Sequence, residues 1–300
     1  MVKVKLEVNS DFDRLDSYLI SKLDKSRSKI QSMIKGGNIL VNGNVVKPSY
    51  VVKLGDIIDV DDIQEEVLSA SPEKMDLDIV YEDDDVIVVN KANGIVVHPA
   101  VGNTSGTLVN GLMYHSKNLS SINGEFRPGI VHRIDAYTTG LLMVAKNDKA
   151  HEFLAKQLEE KSTKRVYWAL VWGVIPNDTG TIDAPIGRDS NDRKKMCVTS
   201  VNSKKAITHF KVLERYKSAT LIELSLETGR THQIRVHINY IGYPIVNDPV
   251  YGKRKLIDNS GQCLHAKTLG FIHPTTLKEI SFDSELPDCF VNILNKFKEE

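Results

Sequence analysis

The chain has 300 residues, a length that suggests about two domains. Hydrophobic residues make up 41% and charged residues 26%, ordinary globular usage that supplies a core and argues against general disorder. Lys plus Arg and Asp plus Glu both total 39, so the formal net charge is zero. This excludes a polybasic, histone-like binder, but not a nucleic-acid partner, whose footprint depends on where charges cluster. Apolar runs such as 86–89 and 95–97 fall far short of the roughly 20 residues of a membrane span. The start Met1-Val2-Lys3-Val4-Lys5 has no apolar core of a secretory signal behind it. Cys197, Cys263 and Cys289 are odd in number and far apart, which gives neither a disulfide framework nor a C-x-x-C pair. A soluble, cytoplasmic protein of a reducing compartment is expected, with no membrane partner.

Residues 1–62 are expected to form a separate small domain. Leu15, Tyr18, Leu19 and Leu23 recur at helical spacing. A second helix is expected from Ser28, with Gln31 completing a capping box. Ile30, Met33 and Ile34 give it an apolar face, and Gly36-Gly37 stop it. Asn42-Gly43, between apolar residues 39–41 and 45–46, is a strong hairpin signal. Residues 51–54 and 57–60, around Gly55-Asp56, suggest further strand. Residues 63–76 are acidic and polar and are expected to be a linker. Residues 77–300 would form the second domain. There the acidic run 82–85 is expected as a turn between strands 79–81 and 86–89. Leu108, Val109, Leu112 and Met113 suggest a helix, 116–129 a loop and 141–145 a strand. Asp148 can cap a helix whose face includes Phe153, Leu154 and Leu158. Residues 166–171 and 221–226 read as strands. Gly229 then leads into a helix with Ile234, Ile238 and Ile241 on one face. Runs of strands with inserted helices predict an α+β fold with a largely antiparallel sheet.

Several common constellations are missing. There is no G-x-x-x-x-G-K-[ST], no G-x-G-x-x-G and no G-x-S-x-G. His232 and His237, five apart, do not share a helix face, and His265 and His273 lack neighbouring ligands at metal spacing. No metal or cofactor is expected, so any chemistry must come from ordinary side chains. The most unusual segment is GIVHRIDAYTTGLL at 129–142, which sets charged, aromatic and hydroxyl groups between a Pro-Gly loop and an apolar strand. Taken alone, Asp135 there can cap a turn with Arg133 as its ion pair.

In context the segment closely resembles the H-R-[LI]-D-x-x-[ST]-[ST]-G-L-L signature of RluA/RluD-family pseudouridine synthases. One departure is Ala136-Tyr137, where that family often has Lys-Asp. Other blocks carry the same resemblance in the same order. They are NKANGIVVHP at 90–99, with Ala92 where proline is usual, KRVYWALV at 164–171 and LETGRTHQIRVH at 226–237. Gly242-Tyr243-Pro244-Ile245, 248–252 and Leu264-His265-Ala266 follow. Residues 12–60 resemble the small RNA-binding module first named from a small-subunit ribosomal protein. Matching features are Arg14-Leu15-Asp16, Ser26-Arg27-Ser28, Gln31, Gly37, Val41-Asn42-Gly43 and Gly55-Asp56.

The resemblance implies a catalytic domain with a mixed, largely antiparallel sheet flanked by helices, behind a small domain of two helices and a hairpin. It implies isomerisation of uridine to pseudouridine, which leaves redox balance unchanged and needs no cofactor. By resemblance Asp135 is the essential aspartate, Arg235 faces it, and Tyr167 stacks on the base. Arg133 would fill the gap left by an extruded uridine, and Arg230 and Ile234 would contact substrate. Arg27, Lys29, Lys35 and Lys47 would meet RNA phosphates, which give affinity and register rather than sequence reading. Large-subunit ribosomal RNA, free or in pre-ribosomal particles, is the leading substrate, transfer RNA the next, and a monomer is expected. Two other readings remain open: a non-catalytic RNA-binding or ribosome-assembly protein, and a hydrolase using Asp135 with His132 or His232.

Overall fold

The computed structural model describes residues 2–12, 14–23, 25–62, 70–100, 102–124, 127–192, 194–252 and 256–299. The chain divides into two compact units, Met1–Leu68 and Ser69–Glu300. Of the linker expected at 63–76, residues 63–69 lie outside the described residues.

The first unit contains β1 (Val2–Glu7), α1 (Leu15–Ile20), α2 (Arg27–Lys35), β2 (Ile39–Val41) and β3 (Ile57–Asp62). β3 is central and pairs antiparallel with both β1 and β2. Sequence reading did not anticipate β1, although V-K-V-K-L-E alternates with the period of a half-buried strand. Leu15, Leu19, Ile30, Ile34, Ile39 and Ile58 make the core. Two local expectations are corrected. The cap of α2 is Ser26, whose hydroxyl accepts the Lys29 N–H, and not Ser28. Gln31 is drawn away by a tertiary partner, because its amide donates to Asp16 at 2.6 Å. The Asn42-Gly43 turn forms, with φ of 52° and 76°, but residues 45–46 do not become its second strand. Val41 makes a single bridge to Asn44, and β2 spends its remaining pairing on β3.

The second unit contains β4 (Asp78–Glu82), β5 (Val86–Lys91), α3 (Leu108–His115), β6 (Thr139–Ala145), α4 (Asp148–Glu159), β7 (Lys164–Trp172), β8 (Thr179–Asp183), β9 (Ile186–Arg188) and β10 (Met196–Val198). It continues with β11 (Ile207–Arg215), β12 (Ala219–Leu226), α5 (Gln233–Tyr240), β13 (Leu264–Ile272), β14 (Glu279–Asp283) and α6 (Asp288–Lys298). The main sheet runs β4-β5-β6-β13-β7-β12-β11-β8, with β14 on β13. Among the described residues, only the β6–β13 pair is parallel in that sheet. This is the α+β, largely antiparallel architecture. Residues 70–76 belong to this unit rather than to a linker. Ala70 is in its core, and Asn110 of α3 donates to the Ser71 carbonyl and accepts the Glu73 N–H on its own carbonyl. The cap of α4 is Asn147, one residue before the Asp148 expected, since its side chain accepts the Ala150 N–H.

β6 is buried on both faces, which is why 141–145 reads as an unbroken apolar run. Leu142 and Val144 enter one core with α3, α5 and α6, while Leu141 and Met143 meet Ala150 and Leu154 of α4 in another. At the start of β6, Gly140 has φ 105°, and a Cβ there would lie 2.3 Å from the Ala266 carbonyl oxygen. Glycine is therefore needed for β13 to come alongside β6. That junction sets Asp135, four residues upstream of the strand, over the centre of the sheet.

Candidate active site

A cavity of about 420 Å³ opens beside Asp135. Its wall is drawn from the 131–138 segment, β7 and the segment leading into α5. Asp135 lies at the start of a tight turn, where its carbonyl accepts the Thr138 N–H. Its side chain is 25% exposed, and its Oδ2 accepts from Arg235 Nη1 at 2.9 Å. Arg133 is not the partner of Asp135. Its guanidinium meets His98 at 3.4 Å and donates to the Thr231 hydroxyl at 3.2 Å.

Arg235 is 4% exposed and is shared between two carboxylates. Nε and Nη2 form a fork on Asp248 at 2.8 and 2.9 Å, leaving Nη1 for Asp135. Burial works against its charge, but Asp248 and Asp135 outweigh it and raise its pKa. Burial likewise opposes ionisation of Asp248, yet Arg235 and the N–H groups of Tyr251 and Val250 hold its carboxyl below the ordinary value. The guanidinium also lies 5.0 Å from the centre of the Tyr251 ring. Sequence reading missed Asp248 as a side chain with a task. A carboxylate in N-D-P-V-Y-G reveals a partner only once it is known to be buried.

The segment before α5 is fixed by Gln233. Its oxygen accepts from the Thr228 hydroxyl and the Arg230 N–H, and its amide donates to Ile207 and Thr208 on β11. This holds His232 in the left-handed region at φ 57°, a conformation that costs a non-glycine residue energy and is often kept at functional sites. His232 Nε2 lies 3.8 Å from Asp135 Oδ1, and Nδ1 lies 2.8 Å from the Tyr251 hydroxyl. That hydroxyl accepts the Met196 N–H, so it has its own proton to give to Nδ1. Burial lowers the His232 pKa and favours the neutral ring. His237 is turned elsewhere, to Thr208 and the Ala184 carbonyl.

Tyr167, 6% exposed, lines the same cavity from β7. Burial pushes its phenol upward against the charge of Arg165, so the hydroxyl keeps its proton. Ile234 is buried in the wall, and Arg230 Nε donates to the Lys205 carbonyl. His132 accepts the Met143 N–H at 3.2 Å, and burial pushes its pKa down to about 3. It is a neutral support for the loop. Lys91, 1% exposed, was also missed as a functional position. Its ammonium donates to the carbonyls of Ala92, Ile95 and Ala136 at 2.9, 2.9 and 2.7 Å, tying β5 to the residue after Asp135. Burial pulls its pKa down to about 7, while nearby Asp135 favours the charged form. Among the described residues, no three His, Cys, Asp or Glu side chains come together to hold a metal ion, and the three cysteines are free. No helix among them is long and apolar enough to cross a membrane.

In the first unit, the proposed RNA contacts are spread along one helix and one loop. Arg27 opens α2 and also serves Asp16, a fully buried carboxylate that accepts from Arg14 twice at 2.9 Å and from Arg27 at 3.3 Å. Hydrogen bonds from Arg14, then Gln31 and Arg27, hold Asp16 far below the usual carboxylate range against the effect of burial. Lys29 is half-buried, whereas Lys35 and Lys47 are exposed.

Comparison with known proteins places this geometry. Residues 85–240 match the RNA pseudouridylate synthase family and residues 13–58 the S4 domain. The chain is 54% identical to the uncharacterized RNA pseudouridine synthase YlyB of Bacillus subtilis, covering 95% of this chain and 94% of that one. It is 45% identical to ribosomal large subunit pseudouridine synthase D of Neisseria meningitidis serogroup B, covering 96% of this chain and 79% of the relative. Human RNA pseudouridylate synthase domain containing 1 superposes with a TM-score of 0.58 at 26% identity, covering 75% of this chain and 96% of that one. With an S4 domain at residues 13–58 and the Asp135 cavity within the family match, the chain belongs to the RNA pseudouridylate synthase family.

Proposed function

We propose that the protein converts uridine to pseudouridine in large-subunit ribosomal RNA, in the cytoplasm, with Asp135 as the catalytic carboxylate. The observation that carries the chemical part is the shared arginine: Asp248 fixes Arg235 so that one nitrogen remains for Asp135 at 2.9 Å. The substrate rests on the relatives named for the ribosomal large subunit. The reaction breaks the C1′–N1 bond, rotates the uracil and joins C1′ to C5. C5 loses a proton and N1 gains one, so atoms and electrons balance without a cofactor. The uridine leaves the base stack and enters the cavity, at a cost of a few kcal/mol. Tyr167 offers a ring against which the base stacks, an interaction of ~1–3 kcal/mol. Arg133, at the cavity wall, takes the place of the departed base, and Arg230 and Ile234 contact the substrate. Arg27, Lys29, Lys35 and Lys47 of the first unit anchor RNA phosphates, so binding energy gained there offsets the cost of extrusion. Nucleoside analysis after incubation with large-subunit, small-subunit and transfer RNA transcripts tests the assignment. Pseudouridine in the large-subunit transcript supports it, and pseudouridine confined to transfer RNA would redirect it.

A further inference from the structure

Among the described residues, four arginines line the cavity, and three of them are engaged by protein acceptors. Arg235 serves Asp135 and Asp248, Arg230 donates to the Lys205 carbonyl, and Arg133 donates to Thr231. Arg165 differs, because its Nε–H is buried with no hydrogen-bond partner. A strong donor left unmade in the native state carries the desolvation cost of that group, and such a group calls for an explanation. The space the guanidinium fills exists because residue 229 is glycine: a Cβ there would lie 3.0 Å from an Arg165 terminal nitrogen.

Its position on β7 says what it faces. Residues two apart on a strand share a face, at ~7 Å spacing, and Arg165 and Tyr167 line the same cavity. Along the strand, Lys164 is exposed, Arg165 half-buried, Tyr167 6% exposed and Ala169 fully buried. Arg165 therefore lies one step from Tyr167 towards the cavity mouth. A base seated at Tyr167 would carry its own sugar–phosphate towards that mouth. Charge leaves Arg165 available: Asp135 and Asp248 are ion-paired with Arg235, and the Lys91 ammonium lies near Asp135, so neither carboxylate is paired with Arg165. A guanidinium fits phosphate with paired N–H groups.

We infer that Arg165 is the binding residue for the phosphate of the nucleotide whose base enters the cavity. The inference rests on the reading of the cavity as a uridine site in RNA. It makes Arg165 a substrate-holding group, distinct from the carboxylate and its arginine.

The test compares wild type with Arg165→Met, which keeps the aliphatic stem, and Arg165→Lys, which keeps the charge. The full chain is given large-subunit transcript carrying tritium at uracil C5. Half-saturating RNA in single-turnover release and equilibrium binding to the same transcript are measured across a salt series. Arg165→Met is expected to raise the half-saturating concentration about tenfold, by more than the plateau rate falls. The slope of log affinity against log salt should drop by about 0.7–0.9, one phosphate contact. Arg165→Lys should keep the wild-type slope with intermediate affinity. An unchanged slope in Arg165→Met, or a loss confined to the plateau rate, would overturn the inference. If Arg165→Met fails to fold by urea titration, Arg165→Gln takes its place. It removes the charge and keeps a polar end, so the same fall in slope is expected and an unchanged slope overturns the inference. A wild type that releases no tritium defeats the enzymatic reading instead, and the binding slopes still decide the role of Arg165.

Discussion

Replacing Asp248 by Asn tests whether the site depends on a shared arginine. Asp248 has no exposed side-chain surface and takes four hydrogen bonds: Arg235 Nε and Nη2 at 2.8 and 2.9 Å, and the N–H groups of Val250 and Tyr251 at 2.8 and 3.0 Å. An asparagine oxygen can keep the three that reach Oδ1. Its NH2 group then meets Arg235 Nε, donor against donor, where Oδ2 had accepted. Breaking a buried pair by removing one charge costs ~3–5 kcal/mol. For a folded unit of 150–250 residues, 1 kcal/mol moves Tm by ~2–4 °C, so Asp248→Asn should melt ~6–20 °C lower. Arg235 should turn from its present angle, and single-turnover release of C5 tritium, measured well below Tm, should fall by about tenfold or more, which is ~1.4 kcal/mol of barrier. Calorimetry and the release assay check the two effects separately. A variant melting within about 2 °C of wild type with an unchanged release rate would refute the claim that Asp248 orients Arg235.

Other outcomes follow from the same structure. Because the native state keeps His132 neutral down to about pH 3 while an ordinary histidine protonates near 6.5, the unfolded chain binds the extra proton between those values. Stability must therefore fall as pH drops through that window, by about 2 kcal/mol from pH 7 to pH 5 for this group. Urea titrations of wild type and His132→Gln should show that difference in slope, and parallel curves would remove the argument. Gly140→Ala forces a Cβ against the Ala266 carbonyl at positive φ, so the β6–β13 junction should lose roughly 1–3 kcal/mol or more on denaturation; wild-type stability would show that the strands can part without cost. Lys35→Ala and Lys47→Ala should each lower the salt slope of RNA binding by about 0.7–0.9, and unchanged slopes would take α2 and its following loop off the RNA face. Arg27→Ala should also destabilise the first unit in urea, since Asp16 loses a donor; an unaltered unfolding midpoint would limit Arg27 to the surface.

Legibility in the sequence varied with the range of the interaction. Local periodicity located most helices and, in the second unit, β4, β5, β6, β7 and β12, because runs such as β5, β6 and β7 are apolar and their burial requires no knowledge of their neighbours, whereas β8–β11, β13 and β14 were not read as strands. The motif blocks also named Asp135, Tyr167 and Arg235, which the fold brings from three separate elements to one cavity. What escaped depended on partners distant in the chain. Gln31 looked like a capping residue until Asp16, fifteen positions earlier, proved to hold it. Residues 45–46 looked like a strand, but β3 already occupies β2. Lys91 and Asp248 fall inside the motif blocks without a task of their own, and only burial shows them to be the groups that tie down the Asp135 turn and Arg235. Arg165 escaped for the opposite reason: its meaning lies in a hydrogen bond the protein does not make.

The most direct test of the account uses large-subunit ribosomal RNA transcribed with tritium at uracil C5, given to wild type and to Asp135→Asn. Joining C1′ to C5 expels that tritium to solvent, so release reports the isomerisation itself. The account predicts release by wild type, none by Asp135→Asn, and RNA binding retained by both. Release by Asp135→Asn at a rate near wild type would contradict the role given to Asp135. No release by wild type from large-subunit, small-subunit or transfer RNA, beside an active control enzyme, would contradict the reaction.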